Sequence, residues 1–541
     1  MFLLVNSLLF VLYLDLTFVS GLNLPARPTK GEVWPKPQLQ VSYQKSYLVN
    51  PQTFTFHAVA ENCKLLERAF DRYLEIINKS MISSETYGYS EQDDDMYEAN
   101  KEFVGYLDSL NVLLMEPCNH ITVPAHTMEE HYILNITTET SNSILSASTI
   151  WGILRGLETF SQLLYSTDRE MLKINCTTIV DYPRFPHRGL MVDTSRHFIP
   201  VGKILKTLDA MSYNKLNVFH WHLTDDDSFP YQSTKYPNLS KMGAYTKSHV
   251  YSQSDVKTII RFAAERGIRV IAEFDTPGHS ISWGKAMPEL LTTCYTNGVP
   301  NGRYGPIDPT KNSTYSFFEN FFDEVAEVFP DQYLHLGADE VLPFCWKSNP
   351  NIKKFMKEHN IESYKELENY YIQKILNISH NLTKKPILWE DAFTNSVNLT
   401  SSTTVQIWKD LKIIGGWKRT ADKVTKAGLP ILLSACWYLD RLESGGDWRK
   451  FYNCEPLSFI GNDQQKALVL GGEACMWTEV VNQYNIESRV WPRASAVAEK
   501  LWSAENADTY WNAAKRLEEH ACRMNKRGIE AQPPNGAGFC I

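Results

Sequence analysis

The segment Leu336–Gly337–Ala338–Asp339–Glu340 leaves an apolar stretch through two small residues and ends in two adjacent carboxylates. Cleaving a glycosidic bond requires a proton on the leaving oxygen, and a carboxyl group of raised pKa can deliver it. An ordinary glutamic acid, pKa about 4.3, is protonated to about 17% at pH 5; one raised to about 6 is protonated to about 90%. An ionised Asp339 beside it and a water-poor pocket would both push Glu340 upward. The plain alternative is an exposed helix start carrying two acids. Position in the fold has to separate the two.

Trp389, Trp408 and Trp477 offer flat apolar faces, and Tyr438 offers a hydroxyl. Three indoles can wall a box around a methyl group while the phenol meets an adjacent carbonyl, which is the shape of an acetamido group. A lone tryptophan is more often core than ligand contact. Two rival chemistries also start from these residues. His220 and His222 share one face of a strand, a spacing used by metal-dependent amidohydrolases, but such enzymes need further histidine ligands and a closing aspartate. A catalytically inactive carbohydrate-binding barrel would have lost its acidic pair, whereas Asp339 and Glu340 are both present.

These groups need a scaffold that gathers them. Beyond Pro186, strand candidates fall at Gly189–Asp193, Leu216–His222, Arg269–Asp275, Tyr333–Gly337, Pro386–Glu390, Thr404–Trp408, Pro430–Ala435 and Leu468–Glu473. Amphipathic helices lie between them, as at Lys203–Met211, Asp255–Arg266, Phe317–Phe329 and Ser363–His380. Such a rhythm predicts an α/β fold, a (β/α)₈ TIM barrel over residues 187–541 with a C-terminal tail. No G-x-G-x-x-G turn or P-loop supports an open doubly wound sheet instead. Catalytic groups in such a barrel sit at the carboxyl ends of the strands. In order these ends offer Arg196, Asp225, His279, Asp339 with Glu340, Trp389, Trp408, Tyr438 with Asp440, and Trp477 with Glu479. Strand interiors are expected to be mainly Val, Ile, Leu and Phe, with polarity confined to that end.

Residues 22–186 mix strand-like alternation at Val41–Leu48 and Thr53–Val59 with helical stretches at Cys63–Ile77 and Thr149–Leu164. This predicts a small α+β domain before the barrel. The acidic Ser83–Asn100 reads as a solvated loop, and the proline-bearing Asp181–Pro186 marks the expected boundary.

The chain has 541 residues, a net charge of −8, and 14 Trp, 27 Tyr and 25 Phe. That balance leaves no basic footprint for nucleic acid, and the aromatics suit sugar stacking. Residues 1–21 are expected to be a signal peptide, with an uncleaved anchor as the alternative. No other charge-free run is long enough to span a bilayer, so no integral membrane span is expected after cleavage. Eight N-x-S/T sequons begin at Asn78, Asn135, Asn175, Asn238, Asn312, Asn377, Asn381 and Asn398, usable only in the secretory pathway. Ten cysteines without a C-x-x-C pair suit disulfides there. Sequence does not fix their connectivity. The preferred pairs are Cys63–Cys118, Cys294–Cys345, Cys436–Cys454 and Cys522–Cys540, with Cys176 and Cys475 unassigned.

Five segments together resemble the β-N-acetylhexosaminidases of glycoside hydrolase family 20, close to the animal lysosomal-type subunits. They are HRGLMVDTSRH from His187, NVFHWHLTDD from Asn217, AEFDTPGH from Ala272, HLGADE from His335 and GGEACMWTE from Gly471. The resemblance spans essentially the whole mature chain. It implies exo-acting, retaining removal of terminal β-linked N-acetylglucosamine or N-acetylgalactosamine, with the substrate's own acetamido oxygen as nucleophile and an oxazolinium intermediate.

Residue by residue, the resemblance implies Glu340 as general acid and then base, and Asp339 as partner of the acetamido N–H. Tyr438 would meet the acetamido oxygen inside a box of Trp389, Trp408 and Trp477. Arg196 and Glu479 would hold outer hydroxyls, with Asp225 and His279 ordering groups beside the acid. Ala338 stands where relatives often carry glycine, and its methyl group could tilt Asp339. Asp440 followed by Arg441 mixes the pattern of subunits accepting anionic sugars (Asn–Arg) with that of neutral-sugar subunits (Asp, then an apolar residue). No cofactor or metal is implied. The resemblance further implies glycan, glycoprotein or glycolipid substrates, a lysosomal or secreted enzyme, and a homodimer or a heterodimer with a related subunit.

Overall fold

The computed structural model describes residues 28–59, 63–80, 102–118, 123–138, 143–167, 171–410, 415–441, 446–538 and 540. Residues 1–21 and Ser83–Asn100, assigned above to a signal peptide and an acidic loop, lie outside that set.

Eight parallel strands close into a barrel: β1 His187–Asp193, β2 Val218–Thr224, β3 Arg269–Thr276, β4 Tyr333–Gly337, β5 Lys385–Trp389, β6 Thr404–Ile407, β7 Ile431–Leu433 and β8 Val469–Met476. Each strand pairs with its sequence neighbour, and β8 returns to β1 through Gly471↔His187 to Met476↔Val192. Strand β2 starts later than expected and runs on to Thr224, which keeps His222 inside the ladder opposite Asp193. Strand β7 is shorter than expected at three residues.

The helices form for ordinary reasons. In Asn312–Val328, Phe317, Phe318, Phe321, Phe322 and Val325 make one buried stripe at helical spacing. Ser252 caps Gln253–Ala264 in a capping box with Asp255. After β3 the chain inserts a hairpin, Leu291–Thr296 with Val299–Ile307. The Cys294–Cys345 disulfide ties that hairpin to the helix Phe344–Ser348, just beyond Glu340.

Before the barrel, Leu39–Val49 sits within a sheet beside Leu172–Asp181 and Glu102–Tyr106. Helix Ile150–Leu163 is buried along its whole length, because the barrel covers the side that the sheet does not. There Arg155 donates to the carbonyls of Arg266 and Gly267, and Gln162 to that of Tyr213. Glu130 is buried between Arg155 at 2.8 Å and Arg188 of β1 at 2.6 Å. Removing one partner from such a buried cluster costs about 3–5 kcal/mol, so it holds the sheet at a fixed place under the barrel. All four preferred disulfides are present, and Cys176 and Cys475 are free and buried.

Candidate active site

Inward-facing residues recur at every second position of each strand and stack in layers. The lowest layer is apolar: Val218, Ile271, Tyr333, Ile387 and Leu432. The next is not. His220, Glu273, His335, Gln406 and Glu473 fill it, all buried. This corrects the expectation of an aliphatic interior with polarity only at the mouth. The charges are tolerated because each is paired. Gly189 makes room for one of them, since a Cβ there would lie 2.4 Å from Glu473 Cγ.

His220 is held by Glu473 at 2.7 Å through Nδ1 and by Glu273 at 2.9 Å through Nε2. His222 is held by Glu273 at 2.6 Å through Nδ1 and by Asp225 at 2.9 Å through Nε2. Burial opposes the charge on His220, but the two carboxylates outweigh it and push its pKa up to about 9. His222 is raised well above the ordinary histidine value by the same balance. With a carboxylate at each ring nitrogen, both rings are held in the doubly protonated form, all four nitrogens donating.

Above this layer β4 ends in the acid pair. Gly337 has φ +68°, and a Cβ on it would lie 1.6 Å from Asp275 Oδ1, so only glycine fits. Ala338 and Glu340 also have positive φ, +71° and +46°. A non-glycine residue held in this region costs on the order of 1–3 kcal/mol, and such strain clusters at working sites. The Ala338 methyl is accommodated in a buried position while its N–H donates to Asp275 Oδ1 at 3.0 Å.

Asp339 is buried, and burial pushes its pKa up to about 6. Its Oδ1 has no hydrogen-bond partner among the described residues. Burial and the charge of Asp339 together raise Asp275 well above the usual carboxylate range, so Asp275 is the carboxyl that keeps a proton. Glu340 behaves oppositely to expectation. Its side chain is largely exposed, and the His279 imidazole that faces it at 3.6 Å holds its pKa below the usual value. Partial burial pushes it upward, as expected, but is outweighed.

Arg196, Asp225 and His279 meet beside this pair. Asp225 accepts from Arg196 at 2.7 Å and from His279 Nδ1 at 3.1 Å. His279 Nε2 then lies 3.6 Å from Glu340 and 3.9 Å from Asp339. Burial opposes both charges, but hydrogen bonds from His222 and His279 hold Asp225 well below the usual range, and those to Asp225 and Glu340 raise His279. Asp193, which the sequence reading passed over, locks Arg196 in place: its Oδ1 accepts the Ser195 and Arg196 amides, and its Oδ2 accepts the Thr478 hydroxyl. It sits in the HRGLMVDTSRH segment, and its hydrogen-bonding turn was the missed signal.

The aromatic groups gather as the strand ends predicted. Trp389 and Tyr438 pack with Met191 and Cys475, with Trp408 and Trp477 against them. Trp389 and Trp477 have centroids 6.0 Å apart, and Trp408 stacks on Tyr438 at 6.1 Å. Each wall is anchored from behind. Trp389 donates to Glu273 at 2.8 Å, Trp408 donates to Asp391 at 2.8 Å, and Arg196 lies over Trp477 at 4.9 Å. Tyr438 is placed because the chain after β7 continues against β8, with Leu439 N–H donating to Cys475 O at 2.8 Å. The Cys436–Cys454 disulfide braces the same segment.

Asp440 and Glu479 stand farther out. Glu479 is exposed and acts through charge, favouring the guanidinium of Arg196 and disfavouring ionisation of Asp440. Thus Arg196 links Asp225, His279 and the acid pair to Trp477, and Trp477 belongs to the aromatic box, while half-buried Asp440 and exposed Glu479 flank the group.

Two family profiles match the chain. One, described as the glycosyl hydrolase family 20 catalytic domain, matches residues 185–505; the other, described as beta-acetyl hexosaminidase like, matches residues 33–163. The chain is 44% identical over 514 residues to beta-hexosaminidase subunit alpha of Rattus norvegicus, covering 94% of each. It is 44% identical over 524 residues to beta-hexosaminidase subunit beta of Homo sapiens, covering 96% of this chain and 91% of that one. The solved chitobiase of Flavobacterium johnsoniae superposes with a TM-score of 0.78 at 30% identity, over 92% of this chain and 73% of the other. The exo beta-N-acetylglucosaminidase of Vibrio harveyi shares the fold, with a TM-score of 0.75 at 24% identity, over 95% and 80% of the two chains. With its closed barrel, its acid pair at the end of β4 and a catalytic-domain match over most of its length, the chain belongs to glycosyl hydrolase family 20.

Proposed function

We propose that this glycosidase removes terminal, non-reducing β-linked N-acetylglucosamine or N-acetylgalactosamine by substrate-assisted, retaining hydrolysis. The observation that carries the reading is the buried Oδ1 of Asp339, without a hydrogen-bond partner among the described residues, beside the box of Trp389, Trp408, Trp477 and Tyr438. An acetamido group supplies what that arrangement lacks: an N–H for Asp339, a methyl for the indoles and a carbonyl for the Tyr438 hydroxyl.

The acetamido oxygen attacks the anomeric carbon as Glu340 gives its proton to the leaving oxygen, and the glycosidic bond breaks. Ionised Asp339 offsets the positive charge on the oxazolinium ring. Water then attacks the anomeric carbon and displaces the acetamido oxygen, which reopens the ring to the neutral acetamide, while Glu340 takes the water's proton and the configuration is retained. A bound aglycone covers Glu340 and replaces water around it, which raises a pKa held low in the open site. Arg196 and Glu479 hold outer hydroxyls, Asp440 meets the 6-position, and Asp225 with His279 orders the acid.

Glycans, glycoproteins and glycolipids all carry such termini. The relatives' designation as subunits supports a homodimer or heterodimer. The eight sequons support passage through the secretory pathway to the lysosome or the exterior. Among the described residues no helix is long and apolar enough to cross a membrane.

Purified protein assayed on chromogenic β-N-acetylglucosaminide, β-N-acetylgalactosaminide and the corresponding β-glucoside tests the reading. Release from both acetamido sugars and negligible release from the glucoside is expected. Comparable cleavage of the glucoside overturns it.

A further inference from the structure

Glu273 lies in the barrel interior and is fully buried, yet its two oxygens serve both halves of the site. Oε1 accepts the Trp389 indole at 2.8 Å and lies 3.0 Å from His335 Nδ1. Oε2 accepts from His222 at 2.6 Å and from His220 at 2.9 Å. From His222 the contacts continue outward to Asp225 at 2.9 Å, to His279 at 3.1 Å and to Glu340 at 3.6 Å.

We infer that Glu273 is a positioning residue of the hydrolytic reaction, keeping His222 doubly protonated so that Asp225 holds the His279 ring with Nε2 toward Glu340. The inference rests on the glycosidase reading of the site.

Asp225 Oδ2 accepts from both His222 and Arg196, and Oδ1 accepts from His279. Only a His222 ring protonated on Nε2 supplies the first bond, and the tautomer protonated on Nδ1 alone would set a lone pair against the Asp225 lone pair. A negative carboxylate at Nδ1 removes the choice, because it holds both protons on the ring.

Every charged group around His222 fits this state. Glu273 on β3 and Asp225 beyond β2 bind it directly, and Asp193 at the end of β1 adds negative charge; Asp275 near the end of β3 keeps its proton and adds none. The nearest cations, Arg196 and His220, are themselves neutralised, by Asp193 with Asp225 and by Glu473 with Glu273. The face toward β8 is the Trp477 ring, 4.8 Å away. His335 stays uncharged, since burial lowers its pKa.

Glu273→Gln keeps the shape and can still accept from Trp389, but it removes the charge, and an amide N–H in the place of Oε2 cannot accept from the His222 or His220 imidazolium. Without the charge, burial draws the His222 pKa down into the assay range. The expected result is a kcat lowered about tenfold at neutral pH with KM nearly unchanged, and an alkaline limb of the kcat profile moved about one unit or more toward acid. Glu473→Gln is the control: it disturbs the same buried layer but touches His220 and His187 rather than His222. Whatever it does to the maximum rate, its alkaline limb should stay where the wild type has it.

An unshifted limb in Glu273→Gln, or an equal shift in Glu473→Gln, overturns the inference while leaving the functional reading intact. A wild type without hexosaminidase activity overturns the functional reading instead. If Glu273→Gln is not recovered folded, His222→Gln decides: it keeps one donor toward Asp225 and cannot titrate. A pH-independent fall in kcat at near-normal KM supports the inference, and an unchanged kcat overturns it.

Discussion

Asp339 and Glu340 are consecutive in the chain, yet the Asp339 side chain is 10% exposed and that of Glu340 56%. Burial raises the first carboxyl while His279 lowers the second. In the proposed reaction Asp339 acts ionised and Glu340 protonated, so substrate binding has to raise the Glu340 carboxyl above its value in the open site. Glu340→Gln removes that proton donor without changing shape. It should lose at least about 10²-fold in kcat on natural oligosaccharides, whose leaving groups are poor, and much less on aryl glycosides, whose leaving groups need little protonation. Wild-type-like turnover of a natural oligosaccharide would sink the assignment.

Asp339→Asn carries two opposed expectations. The neutral amide cannot balance an oxazolinium charge, so kcat should fall. Stability should move the other way. A carboxyl whose pKa rises from 3.8 to about 6 on folding binds its proton more tightly in the folded state. Its burial is therefore cost-free at low pH and increasingly unfavourable as pH climbs through that window, reaching about 3 kcal/mol above it. The Asn variant should melt higher than wild type at pH 7.5, and that advantage should vanish near pH 3.5. Melting curves at the two pH values check this, and an equal difference at both would discard it.

The sequence revealed the parts of the site that obey simple periodicity. Strand ends after apolar runs located Arg196, Asp225, the acid pair and the aromatic box, because polar groups there interrupt a pattern the core requires. The buried ionic layer escaped the same reasoning. His220, Glu273 and Glu473 lie inside strands at positions where inward and outward faces cannot be told apart without knowing that helices cover the outside. The direction of the Glu340 shift also escaped, because it depends on the placement of His279, which comes from a different strand end. The left-handed backbone of Ala338 and Glu340 had no signal beyond the neighbouring Gly337.

A disulfide between Cys436 and Cys454 braces the segment that carries Tyr438. Closing a loop of this size removes unfolded-state entropy worth about 3 kcal/mol. Peptide mapping under non-reducing conditions should recover the two cysteines linked. The Cys436→Ser/Cys454→Ser double variant should melt lower and bind acetamido sugars more weakly, as Tyr438 loses its brace. Recovery of both as free thiols in fresh protein would contradict the structure at this point.

Asp440 and Arg441 set the expectation for charged sugars. Arg493 donates to the carbonyls of Leu439 at 2.6 Å and Arg441 at 3.1 Å, fixing the backbone around Asp440. Asp440 Oδ1 is buried without a partner among the described residues. Burial and Glu479 raise its pKa, while Arg441 and Arg493 oppose them. Arg441 directly follows Asp440 in the chain. No ion pair joins the two among the described residues, and the exposed Arg441 guanidinium lies over the Tyr438 ring at 5.2 Å. Arg441 is thus free to meet an anion but does not cancel Asp440 by contact. An ionised Asp440 accepts a bond from a neutral 6-hydroxyl and repels a 6-sulfate; two unit charges about 4 Å apart interact by about 4 kcal/mol at an effective dielectric of 20. The expected outcome is a strong preference for neutral N-acetylhexosamines with weak activity on 6-sulfated ones. Ratios of kcat/KM for sulfated and neutral substrates check it. Asp440→Asn should raise the ratio by removing the repulsion, and Arg441→Leu should lower it by removing the cation. If neither ratio moves, the pair does not set specificity, and the determinant must be sought elsewhere on the rim.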